Sequence, residues 1–431
     1  MTPTNPPADT GWFTHDRFGM FIHWGPGALH PGEVSWARYR DPILDGDYQK
    51  YIDHFEPDLY DPDRWIAAAK RAGMKYAVLT TKHHDGFCLW DTKLSEYKAT
   101  NTPAGRDLVG PFVEACRRHG LKVGFYYSLF DWNHPQFPLD FLHPMRNDPA
   151  FRAQTRDMAL YREYMFGHLR ELLTWFGKID IMWFDFSYAD PEKPKVAGWP
   201  ADHWVGKGRD DWDSPALCAL VRELSPGILI NDRADYDADF RTCEQYQPPA
   251  KGQEAMPWEA CLTLTDTWIY NREDRNWKSP EMILRTLVDS VASGGNVLLN
   301  IGPNGRGRMD AGTIRILDGV AEWMDVHARA IHGCGPSAFK APDGCRYTQS
   351  GNRLYVHVQT WPRKYLRLEG LGQRVQYAQL LNDASEIRRA KRFHMMQEDH
   401  LWGPDTLMLE VPIQPPGPLP VIELFLDRPT P

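Results

Sequence analysis

The feature that most constrains this chain is a recurring pair: an apolar run of strand length, then a helix signal. "RFGMFIHWG" (17–25), "MKYAVLTTKHH" (74–84), "LKVGFYYSLFDW" (121–132), "IDIMWFDF" (179–186), "ILINDR" (228–233) and "NVLLNIG" (296–302) are apolar over most of their length. Strands of that kind are covered on both faces, which is the condition of a parallel sheet. Helices predicted over 60–73, 105–120, 151–177, 214–227, 279–295 and roughly 310–330 supply the cover. The first has its signals in order: Asp61 to cap, Pro62 in the first turn and Gly73 at the stop. Shorter strand candidates fall around "TCEQ", "WEACLTL" and "DTWIYN". Close to eight such units favour a (β/α)8 TIM-like barrel over an open doubly wound sheet. No Gly-rich dinucleotide fingerprint follows the first strand, and "GPNGRG" (302–307) has the wrong spacing and reads as a turn.

The pattern changes after about residue 333. "GNRLYVHVQTW" and "PLPVIELFLD" alternate in the β manner, with Gly, Pro and charged turns between them. A chain of 431 residues exceeds the roughly 300 that one core serves. The expected division is a catalytic barrel over 1–333 and a C-terminal antiparallel β-sandwich over 334–431. The net charge of -8, without a basic stripe, argues against a nucleic-acid partner. No run of about 18 apolar residues is present, so no membrane span is expected. Seven scattered cysteines without a CxxC pair, and a polar N-terminus without an apolar signal region, point to a cytoplasmic protein with reduced thiols. Homo-oligomerisation is left open.

In a barrel of this type the active site lies at the C-terminal ends of the strands. The residues there are His23 and Trp24; His83, His84 and Asp85; Tyr126, Asp131 and Trp132; Asp185; Asn231, Asp232 and Arg233; then Glu244, Trp258 with Glu259, and Trp268. Asp185 stands out because it follows the apolar "IDIMWF", where an unpaired carboxylate costs several kcal/mol. Glu259 reads equally as a structural carboxylate paired with an arginine. A metal centre is disfavoured. His83 and His84 are adjacent, so on a strand they point to opposite faces, and neither HxH nor HExxH occurs. "DYDADF" lacks the glycine and the closing glutamate of a calcium loop. No cofactor is called for. A sugar site fits better: two carboxylates for glycoside hydrolysis, His, Tyr and Arg for hydroxyls, and the faces of some of the 17 tryptophans for the carbon-rich side of the ring.

"RFGMFIHWG", "KHHDGFCLWDT", "NTPAGRDLV", "VGFYYSLFDW", "MWFDF", "NDR", "CEQYQP", "WEACLTL", "TWIYN" and "GGNVLLNIGPNGRG" come in this order over residues 11 to about 333. Together they resemble glycoside hydrolase family 29, the α-L-fucosidases. The resemblance implies retaining exo-hydrolysis of terminal α-linked L-fucose on a (β/α)8 barrel, without a metal. It matches Asp185 to the nucleophile. It matches His23, His83, His84, Tyr126, Arg233 and Trp268 to sugar contacts, and Trp36 to a pocket tryptophan. Trp258, beside Glu259 in "PWEAC", is grouped with them. Glu244 resembles the acid/base of the members acting on 1,3- and 1,4-linked fucose. Glu259 matches a second glutamate with a claim to that role, and Glu244 is preferred. The chain departs from the family at Ser35, where an acidic residue often precedes the pocket tryptophan; Glu33 lies two positions earlier. The insertion 190–212 lengthens the loop after the nucleophile strand, next to the expected leaving-group site. An α-L-galactosidase and a non-catalytic carbohydrate-binding protein remain the alternative readings on the same fold.

Overall fold

The computed structural model describes residues 8–31, 47–140, 142–187, 206–236, 238–248, 256–390, 403 and 405–429. Eight parallel strands form one curled sheet: β1 (Phe18–Ile22), β2 (Tyr76–Lys82), β3 (Lys122–Ser128), β4 (Ile181–Asp185), β5 (Leu229–Ile230), β6 (Arg241–Glu244), β7 (Trp258–Thr263) and β8 (Asn296–Ile301). Their order is β5-β4-β3-β2-β1-β8-β7-β6, so β1 pairs with β2 and β8, and the edge strands are β5 and β6. Among the described residues these edges meet through one parallel bridge, between Asn231 and Phe240. Asp239 reinforces it: its N–H donates to the Ile230 carbonyl at 2.8 Å and its carboxylate accepts the Ile230 N–H at 2.8 Å. Buried Arg222 holds the same carboxylate from behind at 3.2 Å. The ring is the expected barrel.

Six helices cover it where the sequence places them: α1 (Pro62–Arg71), α2 (Val109–His119), α3 (Met158–Trp175), α4 (Ser214–Leu224), α5 (Pro280–Ala292) and α6 (Ala311–His327). Between β5 and β6 the described chain makes only a 3-10 turn, Asp232–Ala234. Pro62 opens α1 and Gly73 follows it at φ +81, as expected. Asp61 does not cap α1; its carboxylate pairs with Arg64 at 3.1 Å instead. The caps of α5 and α6 are made by Ser279, accepting from the Met282 N–H at 3.2 Å, and Asp310, accepting from Thr313 at 2.8 Å. "DTWIYN" forms no strand; its residues lie in the loop after β7.

Along each strand alternate residues point inward. Tyr76 and Val78, Ile181 and Trp183, Cys261 and Leu298 therefore fill the barrel interior with Phe21, Tyr126 and Leu229. Phe13, from a short N-terminal helix (Gly11–Asp16), plugs the N-terminal end. Gly19 pairs with Tyr76 across β1 and β2, and a Cβ there would sit 2.3 Å from the Tyr76 ring. Only glycine leaves room for that phenol to lie across the barrel floor.

After the barrel, β9 (Cys345–Ser350), β10 (Arg353–Val358), β12 (Val375–Leu380) and β14 (Val421–Leu426) form a four-stranded antiparallel sheet. β11 (Tyr365–Glu369) and β13 (Thr406–Glu410) form a second, two-stranded one. Leu354, Val356, Leu368, Leu407, Leu409 and Ile422 share one buried core between them, separate from the barrel's. Among the described residues no helix is long and apolar enough to cross a membrane.

Candidate active site

The C-terminal ends of the strands enclose a cavity of about 410 Å³. Its walls are Phe21, His23, His83, His84, Tyr126, Trp183, Asp185, Phe186, Arg233, Glu244, Cys261 and Trp268. A second cavity of about 490 Å³ adjoins it, lined by Trp24, Tyr48, Asp85 and Trp132 among others, and shares His23 and His83 with it.

Asp185 ends β4 and is buried. Its carboxylate accepts from the Tyr126 hydroxyl at 2.7 Å, from Arg233 Nη1 at 2.7 Å and from the Phe186 N–H at 3.0 Å. His84 Nε2 stands 3.9 Å from Asp185 Oδ2. Three donors thus converge on one carboxylate. Burial, reinforced by Asp185, pushes the Tyr126 phenol well above its ordinary pKa, so it stays a donor.

Glu244 ends β6, and its side chain is 40% exposed at the mouth. Arg233 Nη2 donates to Glu244 Oε2 at 2.5 Å, so one guanidinium grips both carboxylates. Burial alone would depress the pKa of Arg233, but the facing Asp185 and Glu244 carboxylates outweigh it and hold the pKa above its ordinary value. The guanidinium also lies 5.1 Å from the Trp183 ring centre. The residue after each carboxylate is left-handed, Phe186 at φ 67 and Gln245 at φ 60. That conformation costs a non-glycine residue about 1 kcal/mol or more. It turns the chain sharply out of the strand and leaves each carboxylate at its rim.

The adjacent histidines are explained by where β2 stops. The strand ends at Lys82, so alternation has ceased when the chain reaches His83, and Gly86 at φ +82 completes the reversal. Both rings line the cavity, with centres 4.0 Å apart. His83 stacks on Tyr126 at 5.4 Å and 11°. Burial lowers the pKa of His23, His83 and His84, and His83 depresses those of His23 and His84 further, while Asp85 and Asp185 partly restore that of His83. The imidazoles are neutral hydrogen-bonding groups. Among the described residues no three His, Cys, Asp or Glu side chains converge as a metal-ligand set.

Trp268 reaches the cavity from the loop after β7, its ring centre 5.0 Å from that of His23. Trp258 and Glu259 do not reach it. They begin β7 rather than end it, so they lie at the opposite end of the barrel. The Glu259 carboxylate accepts from the Tyr76 hydroxyl at 2.5 Å and from the Trp183 indole at 3.4 Å, and is fully buried. Burial pushes its pKa up to about 7. Its partners are a phenol and an indole, not the arginine of the structural reading. Asp131 is likewise structural: buried, it pairs with Lys82 at 3.3 Å and caps the turn at Asn133 and His134. Trp36, Ser35 and Glu33 lie outside the described residues, as does 190–205 of the insertion. Phe21, Phe186 and Cys261 join the site unforeseen, as do two polar groups behind its histidines, Ser128 and Asn300. The only signal for the last two is a polar side chain inside an apolar run.

A family model described as alpha-L-fucosidase matches residues 4–329. Plasma alpha-L-fucosidase of Rattus norvegicus is 30% identical over 352 residues, 74% of this chain and 70% of that one. Tissue alpha-L-fucosidase of Homo sapiens is 26% identical, over 97% of this chain and 89% of its own. Among solved structures, alpha-L-fucosidase isoenzyme 1 from Paenibacillus thiaminolyticus is 43% identical with a TM-score of 0.89, covering 97% of this chain and 98% of that one. A GH29 alpha-L-fucosidase from Bacteroides thetaiotaomicron, trapped as a covalent intermediate with 2-fluoro-fucosyl fluoride, is 25% identical with a TM-score of 0.78, covering 96% and 95%. With a model match over three-quarters of its length, the chain belongs to the α-L-fucosidase family, glycoside hydrolase family 29.

Proposed function

We propose that this chain is a retaining exo-α-L-fucosidase in which Asp185 is the nucleophile and Glu244 the acid/base. The observation that carries the assignment is the Arg233 fork, which holds both carboxylates at one cavity among three histidines. Retention calls for two carboxyl groups roughly 5–5.5 Å apart, close enough for one guanidinium to reach both. An Asp185 oxygen bonds to the anomeric carbon as the bond to the leaving oxygen breaks, and the Glu244 proton passes to that oxygen. Water then attacks the fucosyl–Asp185 ester, its proton returns to Glu244, and the carboxylate leaves. The positions of the two groups support this division: Asp185 is enclosed, whereas Glu244 stands at the open mouth where a leaving group departs. Trp268 and Phe21 offer apolar faces, and His23, His83 and His84 meet hydroxyls. All seven cysteines are buried and none is in a disulfide, which supports a reducing compartment such as the cytoplasm.

The test is trapping with a 2-deoxy-2-fluoro-fucosyl donor, followed by peptide mass spectrometry and NMR of the first-formed sugar. The expected results are an adduct on Asp185 and α-L-fucose as the initial product. An adduct elsewhere, or β-L-fucose first, overturns the assignment.

A further inference from the structure

Two histidines that face the sugar cavity are each tied from behind by one buried polar side chain, and the two ties have opposite sense. We propose that Asn300 and Ser128 are positioning residues that lock His23 and His84 into opposite neutral tautomers, so that the pocket meets its ligand with one imidazole acceptor and one imidazole donor. The inference rests on the fucosidase reading for its ligand, but not for the tautomers.

Asn300 lies on β8 and is buried. Its Nδ2 donates to the Trp268 carbonyl at 2.6 Å. A carbonyl only accepts, so this bond fixes which end of the amide is which. The atom 2.6 Å from His23 Nδ1 is then Oδ1, which also only accepts. Nδ1 of His23 must therefore carry the hydrogen. In the neutral ring Nε2 is left as a bare lone pair.

Ser128 ends β3 and is fully buried. Its Oγ accepts the Phe130 N–H at 3.1 Å and lies 2.7 Å from His84 Nδ1. A buried hydroxyl hydrogen needs an acceptor, and that nitrogen is in place to be one. His84 then carries its hydrogen on Nε2. A second contact agrees: Nε2 stands 3.9 Å from Asp185 Oδ2, which only accepts. A bare Nε2 would set two lone pairs against each other there.

The consequence is directional. A sugar hydroxyl at His23 must donate its hydrogen, and one at His84 must accept. A fluorine, which cannot donate, is excluded at the first and tolerated at the second. Hydrogen bonds with fixed polarity discriminate more sharply than adaptable ones, because a mismatched group leaves a buried partner unmade.

The experiment reads the resting enzyme first. Two-bond ¹H–¹⁵N spectra of protein labelled at histidine nitrogen should show Nδ1–H for His23 and Nε2–H for His84. The reverse pattern at either ring, or rapid averaging, overturns the proposal whether or not the chain cleaves fucosides. Ser128→Ala should abolish the fixed His84 pattern and leave that of His23. Asn300→Leu should do the converse. Ser128→Thr keeps the hydroxyl and should restore the His84 signal, so a fold defect in the alanine variant does not end the test. Each disrupting variant should lose about tenfold in kcat/KM on a nitrophenyl α-L-fucoside, as expected for one buried hydrogen bond. That loss should shrink on the one monodeoxy-fucoside that lacks the hydroxyl in question. An equal loss on every deoxy substrate would mark a merely structural role and overturn the proposal.

Discussion

Glu259 lies on the strand beside Glu244, two residues lower in the barrel: the register sets Glu259 against Thr242, and Glu244 against Cys261. Trp183 lines the cavity and sends its indole N–H to Glu259, so the lower carboxylate touches the underside of the site without entering it. The two glutamates should therefore respond differently to removal of charge. Glu244→Gln should lower kcat by roughly a hundredfold or more on fucosides with poor leaving groups, and far less on those with good ones. Glu259→Gln should stay within several-fold of the parent. Initial rates on a matched pair of substrates decide it, and azide should rescue Glu244→Ala alone.

The same buried carboxyl has a stability signature. Its pKa rises from the ordinary 4.5 to about 7 because burial disfavours the charged form. The folded state thus keeps a proton that the unfolded chain releases, and stability is lost as pH rises from about 4.5 through 7. Glu259→Gln abolishes that loss. Its Tm relative to the parent should increase as pH is raised across this window and level off above it.

Arg233 holds both carboxylates, with Nη1 on Asp185 and Nη2 on Glu244. Lysine retains a charge but not the fork. Arg233→Lys should cost on the order of a hundredfold in kcat, the effect of a small misplacement of reacting groups. Circular dichroism and the melting profile should change little. A variant with normal kcat would show that the fork is dispensable.

Three histidines at the junction of barrel and sandwich set an acid limit. Burial lowers the pKa of His332 to about 4 and of His357 to about 3, and also lowers that of His327. His357 contacts Thr348, which donates to the Ala330 carbonyl at 2.7 Å, and His327 stacks on Trp323. The unfolded chain takes up protons near 6.5 that the folded one refuses. The contribution of these histidines to stability should therefore be complete above that pH and fall progressively as pH drops toward 4. Chemical denaturation at stepped pH measures it, and His357→Gln should flatten the decline.

The barrel was legible because its strands are buried on both faces and hence apolar throughout, and because the helices carry Pro, Gly and Ser signals at their ends. Asp185 was legible for the same reason, as a carboxylate closing an apolar run. Glu259 and Trp258 were misplaced because a short apolar strand does not announce which end is its start; only the pairing of Glu259 with Asn296 tells. β5, two residues long, is too short to have a period, and the alternation in "DTWIYN" belongs to a loop that presents Trp268. The left-handed turns at Phe186 and Gln245 have no sequence mark, since neither residue favours that conformation.

The seam between β5 and β6 gives Asp185 and Glu244 unequal footing. Asp185 is on a strand laddered to neighbours on both sides, while Glu244 belongs to an edge strand whose outer side, among the described residues, is joined by one bridge and by hydrogen bonds through Asp239, Asp232 and Asn231 rather than by a ladder. Shifting Asp185 means rebuilding the barrel; shifting Glu244 means only reshaping its border. Redesign of the cavity mouth has its freedom along that border, where the chain can be recut while the Asp185 wall stays in place.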